Sequence, residues 1–204
     1  MPERHWPFAT PGIADAEFIR LEGLPMTREE VRVVTISKAG LASGQTVYDI
    51  GAGTGSLSVE AARFVFPGQV YAVEANPEAA ALVRANARAF GLENVQVVTG
   101  LAPEVLASLP RPDRVMVGGN RGHLAGILAV CWEKMLSGGL IVVNAVTLGT
   151  LTTALAEFHR LQAETEAWEL EVGQMQRLGG QNHAFRHLTR VYIIRGKKGD
   201  ACAG

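Results

Sequence analysis

Val47-Tyr48-Asp49-Ile50-Gly51-Ala52-Gly53-Thr54-Gly55-Ser56, followed by Val70-Tyr71-Ala72-Val73-Glu74, decides how this chain folds. Two short β-branched runs each end in groups suited to a nucleoside. The first runs into three alternate glycines, Gly51, Gly53 and Gly55, which let the backbone turn tightly and approach a ligand with no Cβ in the way. The second brings Glu74 to a strand's carboxyl end, where a carboxylate accepts hydrogen bonds from ribose hydroxyls. Ligands of open α/β sheets sit outside those ends. A nucleoside-binding α/β enzyme is therefore expected.

The glycine spacing argues against a dinucleotide. A Gly-x-Gly-x-x-Gly fingerprint starting at Gly51 requires glycine at position 56. Ser56 stands there, and the third glycine falls at Gly55. Asp49, just before the loop, would repel a pyrophosphate, whereas it suits a ligand with a cationic end such as the amino group of methionine. Asp-x-Gly-x-Gly-x-Gly with Glu74 at the next strand end resembles motif I and the acidic loop of class I S-adenosylmethionine-dependent methyltransferases.

Bulk properties narrow the class further. At 204 residues and 48% apolar content the chain makes one domain with a substantial core. A net charge of −1 provides no basic field for nucleic acid. No apolar run approaches a membrane span and no secretory signal pattern opens the chain, so the cytoplasm is the expected compartment. Cys131 in an apolar stretch and Cys202 in the tail suggest neither a disulfide nor a metal site.

Residues 1–23, with Pro2, Pro7 and Pro11, read as a leader or linker; 24–197 read as the catalytic domain and 198–204 as a tail. Thr27-Arg28-Glu29-Glu30 reads as a capping box with Thr27 as N-cap, opening a helix to about Ala39. Strands are expected over Thr46–Ile50, 69–75, Val95–Thr99, Arg114–Val117 and Leu140–Ala145, and helices over 56–66, 77–90, 103–109, 124–136 and 148–163. Leu140–Ala145, wholly apolar, suits a parallel strand buried on both faces. The rhythm then changes. Residues 168–175 and 189–195 read as an antiparallel edge pair joined by a long polar loop, 176–188.

Together these elements resemble one family. Thr27-Arg28-Glu29-Glu30-Val31-Arg32, Gly100-Leu101-Ala102-Pro103-Glu104, Val117-Gly118-Gly119 and Val143-Asn144-Ala145-Val146-Thr147-Leu148 resemble the decarboxylating precorrin methyltransferases of cobalamin biosynthesis. Members occur as a stand-alone cobalt-precorrin-6B carbon-15 methyltransferase, or as the carboxyl-terminal half of a precorrin-6Y carbon-5,15 methyltransferase. The resemblance implies a Rossmann-like, mostly parallel seven-stranded sheet with an antiparallel carboxyl-terminal edge pair. It implies S-adenosylmethionine as methyl donor, S-adenosylhomocysteine as product, and methylation of a precorrin at carbon 15 with loss of the ring C (carbon 12) acetate carboxylate. It also implies a homo-oligomer, a tetramer in the family, and a carbon-5 methyltransferase domain as fused or separate partner.

Cofactor roles implied by the resemblance fall on Thr27, Asp49, Gly51, Ala52, Gly53, Thr54, Gly55, Glu74, Ala102 and Gly118. Leu101 stands where an acid often meets the adenine amine, which leaves backbone groups and apolar packing for the base. The substrate is a polyanion, so cationic clamps are expected. Gly119, Arg121 and His123 follow the fourth strand; Arg177, His183, Arg186, His187 and Arg190 cluster around the late loop. Asn144, Arg121 and His123 are the candidates for positioning the reaction, and no metal is called for. Two other readings share the core: a transfer-RNA methyltransferase, which needs a basic surface or an RNA module, and a non-catalytic cofactor-binding subunit.

Overall fold

The computed structural model describes residues 6–199. Pro2, Cys202 and residues 200–204 of the expected tail lie outside them. The strands are β1 (Thr46–Ile50), β2 (Gln69–Glu74), β3 (Val95–Thr99), β4 (Arg114–Val117), β5 (Leu140–Ala145), β6 (Glu164–Gly179) and β7 (Asn182–Lys197). The helices are α1 (Glu29–Ala39), α2 (Ser56–Val65), α3 (Pro77–Ala89), α4 (Leu124–Lys134) and α5 (Leu148–Arg160), with a 3-10 turn over Glu104–Ser108. The sheet has seven strands in the order β3-β2-β1-β4-β5-β7-β6. Strands β1 to β5 pair in parallel, and β7 runs antiparallel between β5 and β6. This is the α/β methyltransferase architecture the sequence implied.

Alternation along the central strands builds two cores. Tyr48, Ile50, Val115, Val117, Ile141 and Val143 face the layer carrying Leu128 of α4 and Phe158 of α5. Val47, Met116 and Val142 point the other way, against Ile36 of α1 and Ala61 of α2. Each such fully buried aliphatic side chain stabilises the fold by about 1.5–3 kcal/mol. Because β1 and β4 are neighbours and the chain leaves them toward opposite helix layers, their carboxyl ends open the crevice in which a parallel sheet takes its ligand.

Three sequence expectations change. Residues 6–23, read as part of a leader or linker, are irregular apart from a 3-10 turn at Asp15–Glu17 and are clamped to the core. Ile13 and Phe18 are buried. The Gly12 and Ile13 N–H groups donate to Glu60 Oε1 at 3.1 and 2.9 Å. The fully buried Arg32 guanidinium donates to Asp15 Oδ1 at 2.7 Å and to the carbonyl of Ile13.

The capping box does not form. Arg28, in extended conformation, is the N-cap of α1, and no side chain caps it. The first helical bond runs from Arg32 N–H to the Arg28 carbonyl at 2.9 Å. The helix thus begins one residue later than the motif demands, while the Thr27 carbonyl accepts from Arg32 Nη1.

The late loop is not a loop. Residues 176–188 continue β6 and β7 into one long ribbon turning at Gly180-Gln181. Arg177 sits opposite His183, Gln174 opposite Arg186, and Gly173 opposite His187. The adjacent glycines at 179 and 180, both at positive φ, supply the reversal. No helix among the described residues is long and apolar enough to cross a membrane.

Candidate functional site

The glycine loop after β1 is stitched to the end of β2. Gly51 and Ala52 N–H both donate to the Val73 carbonyl, at 2.9 and 3.2 Å. Gly53 N–H donates to Glu74 Oε2 at 2.9 Å, and Asn76 N–H donates to Glu74 Oε1 at 2.8 Å. Glu74 is buried, so the two backbone donors hold its carboxylate rigidly. An ionised carboxylate oxygen has two lone pairs, so each oxygen keeps one for a ligand hydroxyl. Gly51 is the tightest point of the loop. Its φ is +73°, and a Cβ there would lie 2.1 Å from the Gly119 carbonyl oxygen. The loops after β1 and β4 therefore touch backbone to backbone.

Two cavities flank this contact and share Gly51, Glu74, Gly119 and Arg121. The smaller is a slot between the ends of β2, β3 and β4. Ala75, Leu101, Ala102 and Ile127 give it apolar walls, and Asn120 closes one side. The larger, about 430 Å3, lies over the glycine loop. Leu24, Pro25, Met26, Thr27 and Arg28 wall it on one side; Gly118, Asn144, Val146, Thr189 and Val191 line the other. The carbonyl of Pro25 is 3.2 Å from where a Cβ on Gly53 would stand, so residues 24–28 lie against the loop.

Of the sequence-expected residues, Thr27, Gly51, Ala52, Gly53, Glu74, Gly118, Gly119, Arg121 and Asn144 meet around the larger cavity, and Ala102 lies in the slot. Asp49 does not line either cavity. Period-two alternation puts it on the same face as Val47, beneath the loop, where Ser58 of α2 donates to its Oδ2. Burial pushes its carboxyl up to about 6, against the pull of the Ser58 bond. Asp49 thus ties the end of β1 to α2, its carboxylate facing Ser58 rather than either cavity.

Thr54 and Gly55 also lie under the loop rather than in a cavity wall. The Thr54 carbonyl accepts from Asn86 Nδ2 at 2.8 Å, and Gly55, at φ +79°, is the N-cap of α2 against Val83. His123 caps α4 from an exposed turn and lines neither cavity.

The ribbon cations sit apart from both cavities. Arg177, His183, Arg186 and His187 are exposed, and none lines a wall. His187 Nδ1 is 2.9 Å from Glu171, and Arg190 pairs with Glu169 at 2.9 Å. Sequence reasoning named Thr27 but missed Asn120, Val146 and the rest of the 24–28 wall. Val146 directly follows the fifth strand and Asn120 follows the fourth by three positions, which was the available signal. Within the wall the Thr27–Arg32 motif pointed to Thr27, whereas Leu24, Pro25 and Met26 carried no signal, because they are held by contacts distant in sequence.

Residues 20–198 match a family model described as the precorrin methyltransferase domain. The chain belongs to this family. It is 44% identical over 191 residues to a probable cobalt-precorrin-6B C(15)-methyltransferase (decarboxylating) of Pyrobaculum calidifontis, covering 93% of this chain and 97% of the relative. It is 34% identical over 186 residues to the Salmonella typhimurium protein named as that enzyme, covering 90% and 95%. The crystal structure of precorrin-6y C5,15-methyltransferase from Geobacter metallireducens superimposes with a TM-score of 0.87 at 38% identity, over 94% of this chain and 100% of that one. A transfer-RNA methyltransferase from Aquifex aeolicus, at 16% identity and a TM-score of 0.72, shares the fold alone.

In this precorrin methyltransferase Arg121 and Asn144 reach the larger cavity from the β4 and β5 ends, and Asn120 reaches the slot. Arg121 is exposed, lines both cavities, and has no ion-pair partner among the described residues. Its φ of +47° is unusual for a non-glycine residue and marks a side chain aimed by its turn. Asn144 is anchored to α1, its amide 3.1 Å from the Thr35 hydroxyl, which donates to the Val31 carbonyl at 2.7 Å.

Proposed function

We propose that this chain transfers the methyl group of S-adenosylmethionine to carbon 15 of a precorrin and releases carbon dioxide from the ring C acetate, in cobalamin biosynthesis. The observation that carries the reading is the junction at Glu74, where an apolar slot of nucleobase character meets a wider cavity over a side-chain-free loop. The residues fit the cofactor. Ala102 and the slot take adenine, Glu74 takes the ribose hydroxyls, and Gly51 to Gly53 lie along the methionine portion under Thr27. S-adenosylmethionine supplies a methyl group already activated by its sulfonium.

The acceptor carbon of a reduced tetrapyrrole is electron-rich and enamine-like, so alignment supplies most of the rate and no general base is needed. In the second reaction the bond between the acetate methylene and its carboxylate breaks. Carbon dioxide leaves, the electron pair spreads into the conjugated macrocycle, and a proton from solvent completes a methyl group. A cation on the departing carboxylate would stabilise the charge that must disappear. Arg121 therefore holds a different carboxylate of the substrate, while Val146 and Val191 keep water from the ring face.

Incubation with methyl-labelled donor and a precorrin tests the reading directly. Label in the corrinoid together with released carbon dioxide supports it. Label in transfer RNA, or donor binding without turnover on any tetrapyrrole, replaces it. Glu74→Gln is expected to weaken S-adenosylhomocysteine binding by about 1–3 kcal/mol, because an amide brings a donor against a site that needs acceptors. Unchanged affinity in calorimetry would remove Glu74 from the site. Arg121→Ala is expected to raise the precorrin KM about tenfold, the worth of one charge-assisted contact, with a much smaller change in S-adenosylhomocysteine affinity. Equal losses would count against Arg121 as a substrate clamp.

The same proposal includes a homo-oligomer, a tetramer by the family resemblance, and a carbon-5 methyltransferase partner, separate or fused. Exposed Met175, Leu178 and Phe185 on the ribbon support an assembly that covers them. In such an assembly Arg177, His183, Arg186 and His187 would be offered to a neighbouring copy rather than to their own cavity.

A further inference from the structure

We infer that Asn120 reads the adenine ring, donating a hydrogen bond from Nδ2 to one of the ring nitrogens of the base held in the slot. The inference rests on the slot being the adenine site. Its starting point is a gap in the chemistry of the walls. Ile50, Val73, Leu101, Ala102 and Ile127 contribute only apolar side chains, and Leu101 replaces the acid that would meet the adenine amine. Sugar-linked adenine has three ring acceptors, the backbone N–H groups of Leu101 and Ala102 can meet at most two of them, and a buried acceptor without a partner costs affinity.

The polar side chains available are three. Glu74 accepts and does not donate, and it already holds the Gly53 and Asn76 N–H groups. Arg121 is shared with the larger cavity and its charge is better matched to a carboxylate there. Asn120 is half-buried and neutral.

The turn itself fixes which end of the Asn120 amide faces the ligand. Gly122 N–H donates to Asn120 Oδ1 at 3.0 Å, and His123 N–H donates to the Asn120 carbonyl at 2.8 Å. An N–H can be met only by the oxygen of the amide, so a flipped Asn120 would place two donors against each other. With Oδ1 committed, Nδ2 is left as a donor that has no hydrogen-bond partner among the described residues. The positive φ values of Arg121 and Gly122 close this turn, so the donor is held in place before any ligand arrives. A fixed donor matches the ring acceptors of adenine and not its exocyclic amine, which is itself a donor.

Calorimetry on the full chain tests this with S-adenosylhomocysteine and its 1-deaza, 3-deaza and 7-deaza analogues, each lacking one ring acceptor. The wild-type chain is expected to bind one of the three about fivefold more weakly than the parent, the size of one neutral hydrogen bond. Asn120→Asp keeps the oxygen that Gly122 needs but loses the donor. It is expected to weaken the parent compound by about tenfold and to erase the penalty for that one analogue. Asn120→Ala should erase the same penalty, which separates loss of the contact from a fault specific to the new charge. If each analogue loses the same factor on wild type and variants, Asn120 does not read the base. If S-adenosylhomocysteine fails to bind the wild-type chain at all, the cofactor reading of the slot falls first and this inference with it.

Discussion

Gly51→Ala is expected to abolish methyl transfer and to cost about 2–4 kcal/mol of stability, from left-handed backbone strain and overpacking combined. The added Cβ would stand 2.1 Å from the Gly119 oxygen and 2.5 Å from its nitrogen. These are backbone atoms, so no side-chain rotation relieves the clash. The loop after β1 and the loop after β4 must separate, and both are walls of the two cavities. Gly91→Ala is the control. Gly91 also has a positive φ, +65°, but nothing lies within 4 Å of its Cβ position. It should cost about 1 kcal/mol, the conformational part alone. Urea unfolding of both variants, with S-adenosylhomocysteine titration of each, checks the difference. A Gly51→Ala chain as stable as Gly91→Ala and still able to bind would show that the two loops do not need to touch.

Arg32→Met is expected to cost about 3–5 kcal/mol, because it leaves the buried Glu60 carboxylate with only Arg63, 3.9 Å from its Oε2, as a cationic neighbour. Both Arg32 and Glu60 side chains are fully buried, with Arg32 Nε 3.5 Å from Glu60 Oε1. The same guanidinium holds Asp15 and the carbonyls of Ile13 and Thr27. One side chain of α1 therefore joins the amino-terminal segment, α2 and the wall of the larger cavity. Loss of cofactor affinity should accompany the loss of stability, since the Thr27 carbonyl loses its anchor. Adding Glu60→Gln should recover part of the stability. Glutamine still offers Gly12 and Ile13 N–H an acceptor but carries no charge to strand. A double variant less stable than the single one, in denaturant unfolding, would show that the ion pair is not the source of the cost.

Much of this molecule was legible before its coordinates. The strand ends at Ile50, Glu74 and Val117 were read to the residue or within one of it, because β-branched runs punctuated by glycine are local signals. The Gly51 cradle and Glu74 followed from spacing alone. Asp49 shows where such reading stops. Alternation from Val47 already placed it on one face of the sheet, but which helix covers that face is a tertiary fact, and Ser58 proved to be the neighbour. The outer part of the ribbon, residues 176–188, reads as a loop in sequence because its polar composition lacks the one-sided apolar pattern of a buried strand. Its two strands satisfy their backbone groups on each other, which needs no buried face.

By itself the order of residues determined an α/β sheet, a side-chain-free turn at Gly51 to Gly55, an acid at the next strand end and membership of a methyltransferase family. The turn and the acid depend on neighbours within a few positions, and the family resemblance on several short motifs that are each local. Tertiary structure alone decided that residues 6–23 belong to the core, that Leu24, Pro25 and Met26 join Thr27 in the cavity wall, and that Asn120 offers a free donor to the slot. The reason is distance along the chain. Ile13 meets Glu60 across 47 residues, and no local pattern encodes a partner that only folding brings near.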